Sequence, residues 1–239
     1  MIDLRDLYAG RKLAMTAPVI TTPKKHAFGI TIAYAVSLYI VWIGAWMLSL
    51  WLEQQGILPA TPAVRFFYWL LMRVLFWLLP SLALLRRLGK SVREVFGFGR
   101  IKAILLWGMG AGAVLGIQTL LVRLIRHQAL FSIDWNWPLL AAVIIGPLVE
   151  EITFRGAIQN GLQARLSFAK ANLVNGFLFL LAHFPGWYFQ GNLMANLTNP
   201  LGGAIAIFLL GCLFGYVAHR SKSVAGSTVA HMMNNFFAA

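Results

Sequence analysis

Two adjacent carboxylates, Glu150 and Glu151, follow an apolar run from Leu139 to Val149. The chain has seven acidic residues, and the other five (Asp3, Asp6, Glu53, Glu94, Asp134) fall in terminal or connecting segments. An ionisable group inside a membrane span costs at least about 2.5 kcal/mol, so by default it marks a functional site. Neighbouring residues on a helix point about 100° apart, so the two carboxylates address different surroundings. Arg155 stands at i+4 from Glu151, the spacing of a helical ion pair, and is expected to keep Glu151 charged and oriented. Glu150 is left without a local counter-charge, a setting that suits a general base. The competing reading is a packing ion pair between helices, because buried pairs need not catalyse anything.

Other polar groups recur at helical spacing further on. Asn175, Phe179 and His183 are four apart and share one face, as do His231 and Asn235, with Asn234 at i+3 competing for the same direction. A lone histidine on an apolar helix is more often a satisfied core residue, so convergence is the test. At 1.5 Å per residue, Glu150 lies about 18 Å below the outer end of its span. His183 lies about 18 Å, and His231 about 12 Å, above the inner ends of theirs. All three can therefore share a plane in the inner half of a membrane. The set lacks a good nucleophile: Ser227 and Thr228 are near in sequence, but a serine relay would need an acid that is absent. An activated water remains, with Glu150 taking its proton, His183 orienting it, and His231 and Asn235 donating to the oxyanion of an attacked carbonyl. Amide hydrolysis fits this kit. A zinc version is chemically available, with Glu150, His183 and His231 as ligands and Glu151 as base. Pairing of Glu151 with Arg155, and the missing second imidazole of an H-E-x-x-H motif, favour the metal-free version, with no cofactor; zinc stays as its alternative.

The elements that must position these groups are legible in composition. Of 239 residues, 59% are hydrophobic and 11% charged, with nine Trp and seventeen Phe suited to aromatic belts at membrane interfaces. Continuous rather than alternating apolar runs exclude an outer-membrane barrel and predict an all-α, polytopic membrane protein of one integrated domain. Seven spans, give or take one, are expected: about 29–52, 66–85, 101–122, 138–150, 171–184, 204–218 and 224–237. The fifth and seventh are short. Residues 1–28 read as a basic cytoplasmic tail, 29–137 as amino-terminal membrane helices and 138–239 as the helices carrying the chemistry. The first apolar run is too long for a cleavable signal and is expected to act as an uncleaved anchor.

The net charge of +13 follows topology. Sixteen of the twenty Lys and Arg residues fall in the amino-terminal tail and in alternate connections around residues 86–102, 155–170 and 220–222. That alternation places the amino terminus in the cytoplasm and excludes a nucleic-acid footprint, leaving the lipid bilayer as the surrounding partner. Arg73, inside the second span, must snorkel or find a partner and is read as structural. Pro147 predicts a kink just before the carboxylates. Gly108, Gly112 and Gly116 form a stripe expected to let helices approach closely. Residues 185–203 carry no Lys, Arg, Asp or Glu and read as an interfacial or re-entrant segment. Cys212 alone excludes an intrachain disulfide.

The order Glu-Glu-x-x-x-Arg (150–155), Phe-x-x-x-His (179–183) and His-x-x-x-Asn (231–235) on successive late helices resembles the CPBP family, the Abi/CAAX proteases and bacteriocin-processing enzymes. The resemblance covers about residues 138–239 and implies an intramembrane endopeptidase similar to the type II CAAX prenyl endopeptidases. Through it, Glu150 matches the catalytic glutamate, Glu151 and Arg155 complete the first motif, His183 matches the second-motif histidine, and His231 with Asn235 the oxyanion-stabilising pair. The implied partner is a membrane-associated or lipid-modified peptide or protein. The implied location is multi-pass in a membrane, the plasma or inner membrane in a bacterial host. The family has been described both as glutamate proteases and as metalloproteases, so the resemblance leaves the metal open. A transporter or immunity membrane protein with a polar midplane site is the rival class, which inverted-repeat symmetry would favour.

Overall fold

The computed structural model describes residues 24–131, 134–200 and 202–239. The expected tail lies, for residues 1–23, outside the described residues, and Lys24 opens the first helix. All described elements are helical: α1 Lys24–Gln54, α2 Pro62–Arg87, α3 Val92–Phe96, α4 101–125, α5 Trp137–Leu162, α6 Phe168–Leu181, α7 Phe184–Phe189, α8 Leu193–Thr198, α9 Ala204–Ser221 and α10 Val224–Ala238. Five stretches are long and apolar enough to cross a membrane: Lys25–Gln54, Pro62–Arg87, Val92–Ile125, Trp137–Leu162 and Ala204–Ser221. α6 and α10 are helices of 14 and 15 residues. At about 21–23 Å they fall short of the roughly 30 Å hydrocarbon layer. The chain is an all-α polytopic membrane protein.

Local chemistry sets the helix ends. Thr61 caps α2 with Pro62 at its first position, Asn136 caps α5 and Ser167 caps α6, each side chain accepting an otherwise orphaned backbone N–H. Ser91 and Glu94 form a reciprocal capping box on α3, which stops at Gly97 in the left-handed region (φ 59°). The segment 185–203 folds as the short helices α7 and α8.

Close helix contacts place the late helices. A Cβ added to Gly108 would stand 2.5 Å from the Gly226 carbonyl oxygen, and one on Gly112 would stand 2.6 Å from Met233 Sδ. The glycine stripe of α4 thus seats α10, the helix of His231, against it. Gly176 of α6 meets Gly211 of α9 in the same manner. The main core joins α1, α2, α5 and α6 around Leu38, Trp42, Trp77, Phe154, Ile158 and Phe179. The bundle has two chemically distinct ends. Connections around 88–100, 163–168 and 219–224 converge on one, basic end, whereas Glu53, Ala60–Phe66, Trp137 and Gln190 converge on the other.

Candidate active site

The site is built on α5, and its backbone irregularity comes first. Residues Ala141–Ile145 form a wider turn in which the Gly146 N–H reaches back to the Ala141 carbonyl. The Ala142 carbonyl has therefore lost its i+4 donor, and its i+5 residue is Pro147, which has no N–H. Asn235 Nδ2, from α10, donates to that carbonyl at 2.8 Å. Proline thus acts here through a freed acceptor that a second helix satisfies. Asn234 Nδ2 in turn donates to Asn235 Oδ1 at 3.0 Å, which fixes the carboxamide's orientation.

One turn past Pro147 stand the carboxylates. Arg155 Nη1 donates to Glu151 Oε1 at 2.9 Å, and both side chains are fully buried. Arg155 Nη2 donates to the Gly211 carbonyl at 2.7 Å, and the guanidinium lies 4.4 Å from the Phe179 ring. His231 Nδ1 lies 3.0 Å from the same Glu151 oxygen. A carboxylate held by arginine only accepts, so Nδ1 is the donor there. Phe214 stacks on the imidazole at 4.5 Å. The opposite nitrogen, His231 Nε2, faces Glu150 Oε2 at 3.9 Å. One Glu151 oxygen thus meets both Arg155 and His231, and the opposite imidazole nitrogen lies toward Glu150.

His183 arrives by a different route. α6 ends at Leu181, and its last carbonyls are capped from α1: Tyr39 Oη donates to Leu178 and Trp42 Nε1 to Ala182. The chain turns immediately into α7, which leaves His183 at a helix end in the interior. Its Nδ1 lies 2.9 Å from the Phe179 carbonyl. A carbonyl cannot donate, so Nδ1 carries a proton, and in the neutral imidazole Nε2 is then the acceptor.

A cavity of 400 Å³ joins these groups, lined by Arg73, Glu150, His183, His231, Asn234 and Asn235 among others. It runs along α5 toward Pro138, the end away from the basic connections. A second cavity of 220 Å³ shares Arg73, Glu150, Phe179 and His183 and is walled by Trp42, Trp46, Trp77 and Trp187. Asn175 is not part of either: it is buried and donates to Gln159 Oε1 at 3.3 Å, a link between α6 and α5. Two cavity residues escaped the motif pattern. Phe214 carries no sequence signal beyond an apolar helix, whereas Arg73 announced itself as a charge in the middle of a span. Zinc would take Glu150 with the Nε2 atoms of His183 and His231. Among the described residues, no group of three or more His, Cys, Asp or Glu side chains is gathered closely enough to hold a metal ion.

Residues 132–237 match the family described as Type II CAAX prenyl endopeptidase Rce1-like. No curated protein and no solved structure matches the chain. The helices that carry Glu150, His183 and His231 all fall within the matched stretch, which is thus similar to the Rce1-like type II CAAX prenyl endopeptidases.

Proposed function

We propose that this protein is an intramembrane endopeptidase that hydrolyses a peptide bond with a water activated by Glu150 and His183. The observation that supports it is one cavity shared by Glu150, His183 and His231 within an otherwise apolar bundle. Water would lie between the Glu150 carboxylate and His183 Nε2, both acceptors, so its two protons are held while its oxygen lone pair is aimed at the substrate carbonyl. Glu150 takes one proton as the O–C bond forms, and negative charge collects on the carbonyl oxygen. The same proton then passes to the departing amide nitrogen as the C–N bond breaks, restoring the carboxylate. His231, oriented by Glu151, and Asn235, anchored on α5, border this oxyanion. No step requires a metal.

The substrate is a membrane-associated peptide, a lipid-modified tail or a transmembrane segment. Tryptophan walls next to Glu150 suit an apolar chain on that substrate. Residues 138–239 carry the chemistry, the amino-terminal helices frame the approach, and the basic end of the bundle is assigned to the cytoplasmic side.

The test uses purified protein in detergent micelles and a panel of quenched-fluorescent peptides, farnesylated and unmodified. Glu150→Gln and His183→Ala should each lower turnover by at least about 100-fold, with unfolding temperatures like wild type. If both variants cleave as well as wild type, the assignment of the chemistry to Glu150 and His183 is wrong; wild-type protein that cleaves no peptide of the panel defeats the endopeptidase reading. Activity lost under 1,10-phenanthroline and restored by zinc would replace the metal-free mechanism with the zinc-dependent one.

A further inference from the structure

Arg73 sits near the middle of α2, where a charge needs a partner. Its Nε is buried with no hydrogen-bond partner, and among the described residues none of its nitrogens makes a hydrogen bond or ion pair within reach. The guanidinium has the Trp42 face 5.8 Å away and, across the shared cavity, the Glu150 carboxylate as an electrostatic partner without a direct ion pair. It lines the cavity of Glu150, His183 and His231, the tryptophan-walled cavity beside it, and a third of 550 Å³ that reaches Glu53 and Trp137. A cation whose Nε–H has no acceptor thus lines the space where the reaction would develop negative charge.

The motif residues leave that charge under-served. His231 gives Nδ1–H to Glu151 and turns Nε2 toward Glu150. Asn235 gives Nδ2 to the Ala142 carbonyl. Arg73 gives nothing. We propose that Arg73 is a catalytic residue, donating to the oxyanion that forms when the Glu150-activated water adds to the scissile carbonyl. The inference rests on the endopeptidase reading. Arg73 lies outside residues 132–237, so the amino-terminal helices would supply part of the active site and not only its frame.

The experiment compares wild type, Arg73→Gln and Arg73→Lys on one farnesylated, quenched-fluorescent peptide made with a free C-terminal carboxylate and as its amide. Two inhibitors of the same sequence are bound in parallel: a phosphonamidate, which carries the anionic oxygen of the tetrahedral state, and a reduced-amide isostere, which has no such oxygen. Arg73→Gln should lower kcat about 100-fold on both peptides, with KM changed by less than about threefold. It should weaken the phosphonamidate by a similar factor and leave the isostere unchanged. Arg73→Lys, which keeps the charge, should recover at least about tenfold of that loss. The proposal is overturned by an unchanged kcat, by a loss confined to the free-carboxylate peptide (an anchor for the substrate's end), or by equal weakening of both inhibitors (a role in cavity shape). A lysine variant no better than glutamine overturns it too. Wild-type protein that cleaves neither peptide defeats the endopeptidase reading itself, a failure distinct from all of these.

Discussion

Replacing Arg155 with methionine tests whether the site is held by one buried ion pair. In the native protein Glu151 and Arg155 are both fully buried and meet at 2.9 Å. Arg155→Met preserves much of the side-chain volume but strands the Glu151 charge, with only His231 Nδ1 as a partner. Leaving one member of a buried pair uncompensated costs about 3–5 kcal/mol. Loss of the hydrogen bond to the Gly211 carbonyl falls within that range rather than adding to it in full. For a chain of this size, 1 kcal/mol moves the unfolding midpoint by about 2–4 °C, so a fall of roughly 6–20 °C is expected. The double variant Glu151→Gln/Arg155→Met removes the stranded charge and leaves a glutamine oxygen to accept from His231. It should recover more than half of the drop. The assay is intrinsic tryptophan fluorescence on heating in detergent, with peptide cleavage measured on the same samples. The single variant should also lose turnover, because a Glu151 carboxylate no longer fixed by Arg155 holds His231 less firmly against Glu150. A single variant that melts within about 2 °C of wild type, or a double variant no more stable than the single, would refute the account of Glu151 as a neutralised, orienting anion.

Other predictions probe separate elements. Asn235→Leu should cost about 1–3 kcal/mol by leaving the Ala142 carbonyl without a donor inside a membrane span, read as a lower melting temperature; an unchanged melt would mean that water replaces the carboxamide. Gly108→Ala should destabilise by about 1–3 kcal/mol, because its methyl would meet the Gly226 carbonyl at 2.5 Å. Gly110→Ala, with nothing within 4 Å, should be neutral or stabilising by about 0.5–1 kcal/mol. The two melts together check that α4 presents one particular face to α10. Gly161→Ala should also lower stability, since its Cβ would fall 1.9 Å from Thr31 Oγ1 in the contact between α5 and α1.

The helical, polytopic class was legible in the sequence because the apolar runs are long and unbroken and lipid leaves a spanning chain few alternatives. The glycine stripe on α4 and the i,i+4 spacing of Glu151 and Arg155 were legible too, since both depend only on the pitch of one helix. What no single helix could reveal was partnership. Asn235 spends a donor on Ala142 because a wide turn and Pro147 together orphan that carbonyl, and only the docking of α10 brings the two together. Asn175 shares the spacing of Phe179 and His183 but turns to Gln159, because periodicity gives a direction and not what lies along it. His183 reaches the interior because α6 stops early and α1 caps its end. Arg73 is separated from Glu150 by a large stretch of chain, and no local pattern links them. Spacing along a helix is set by covalent geometry and hydrogen bonds a few residues apart, so the sequence determined which residues could act. Which of them meet around one cavity depends on contacts between distant segments, and the tertiary structure alone decided that.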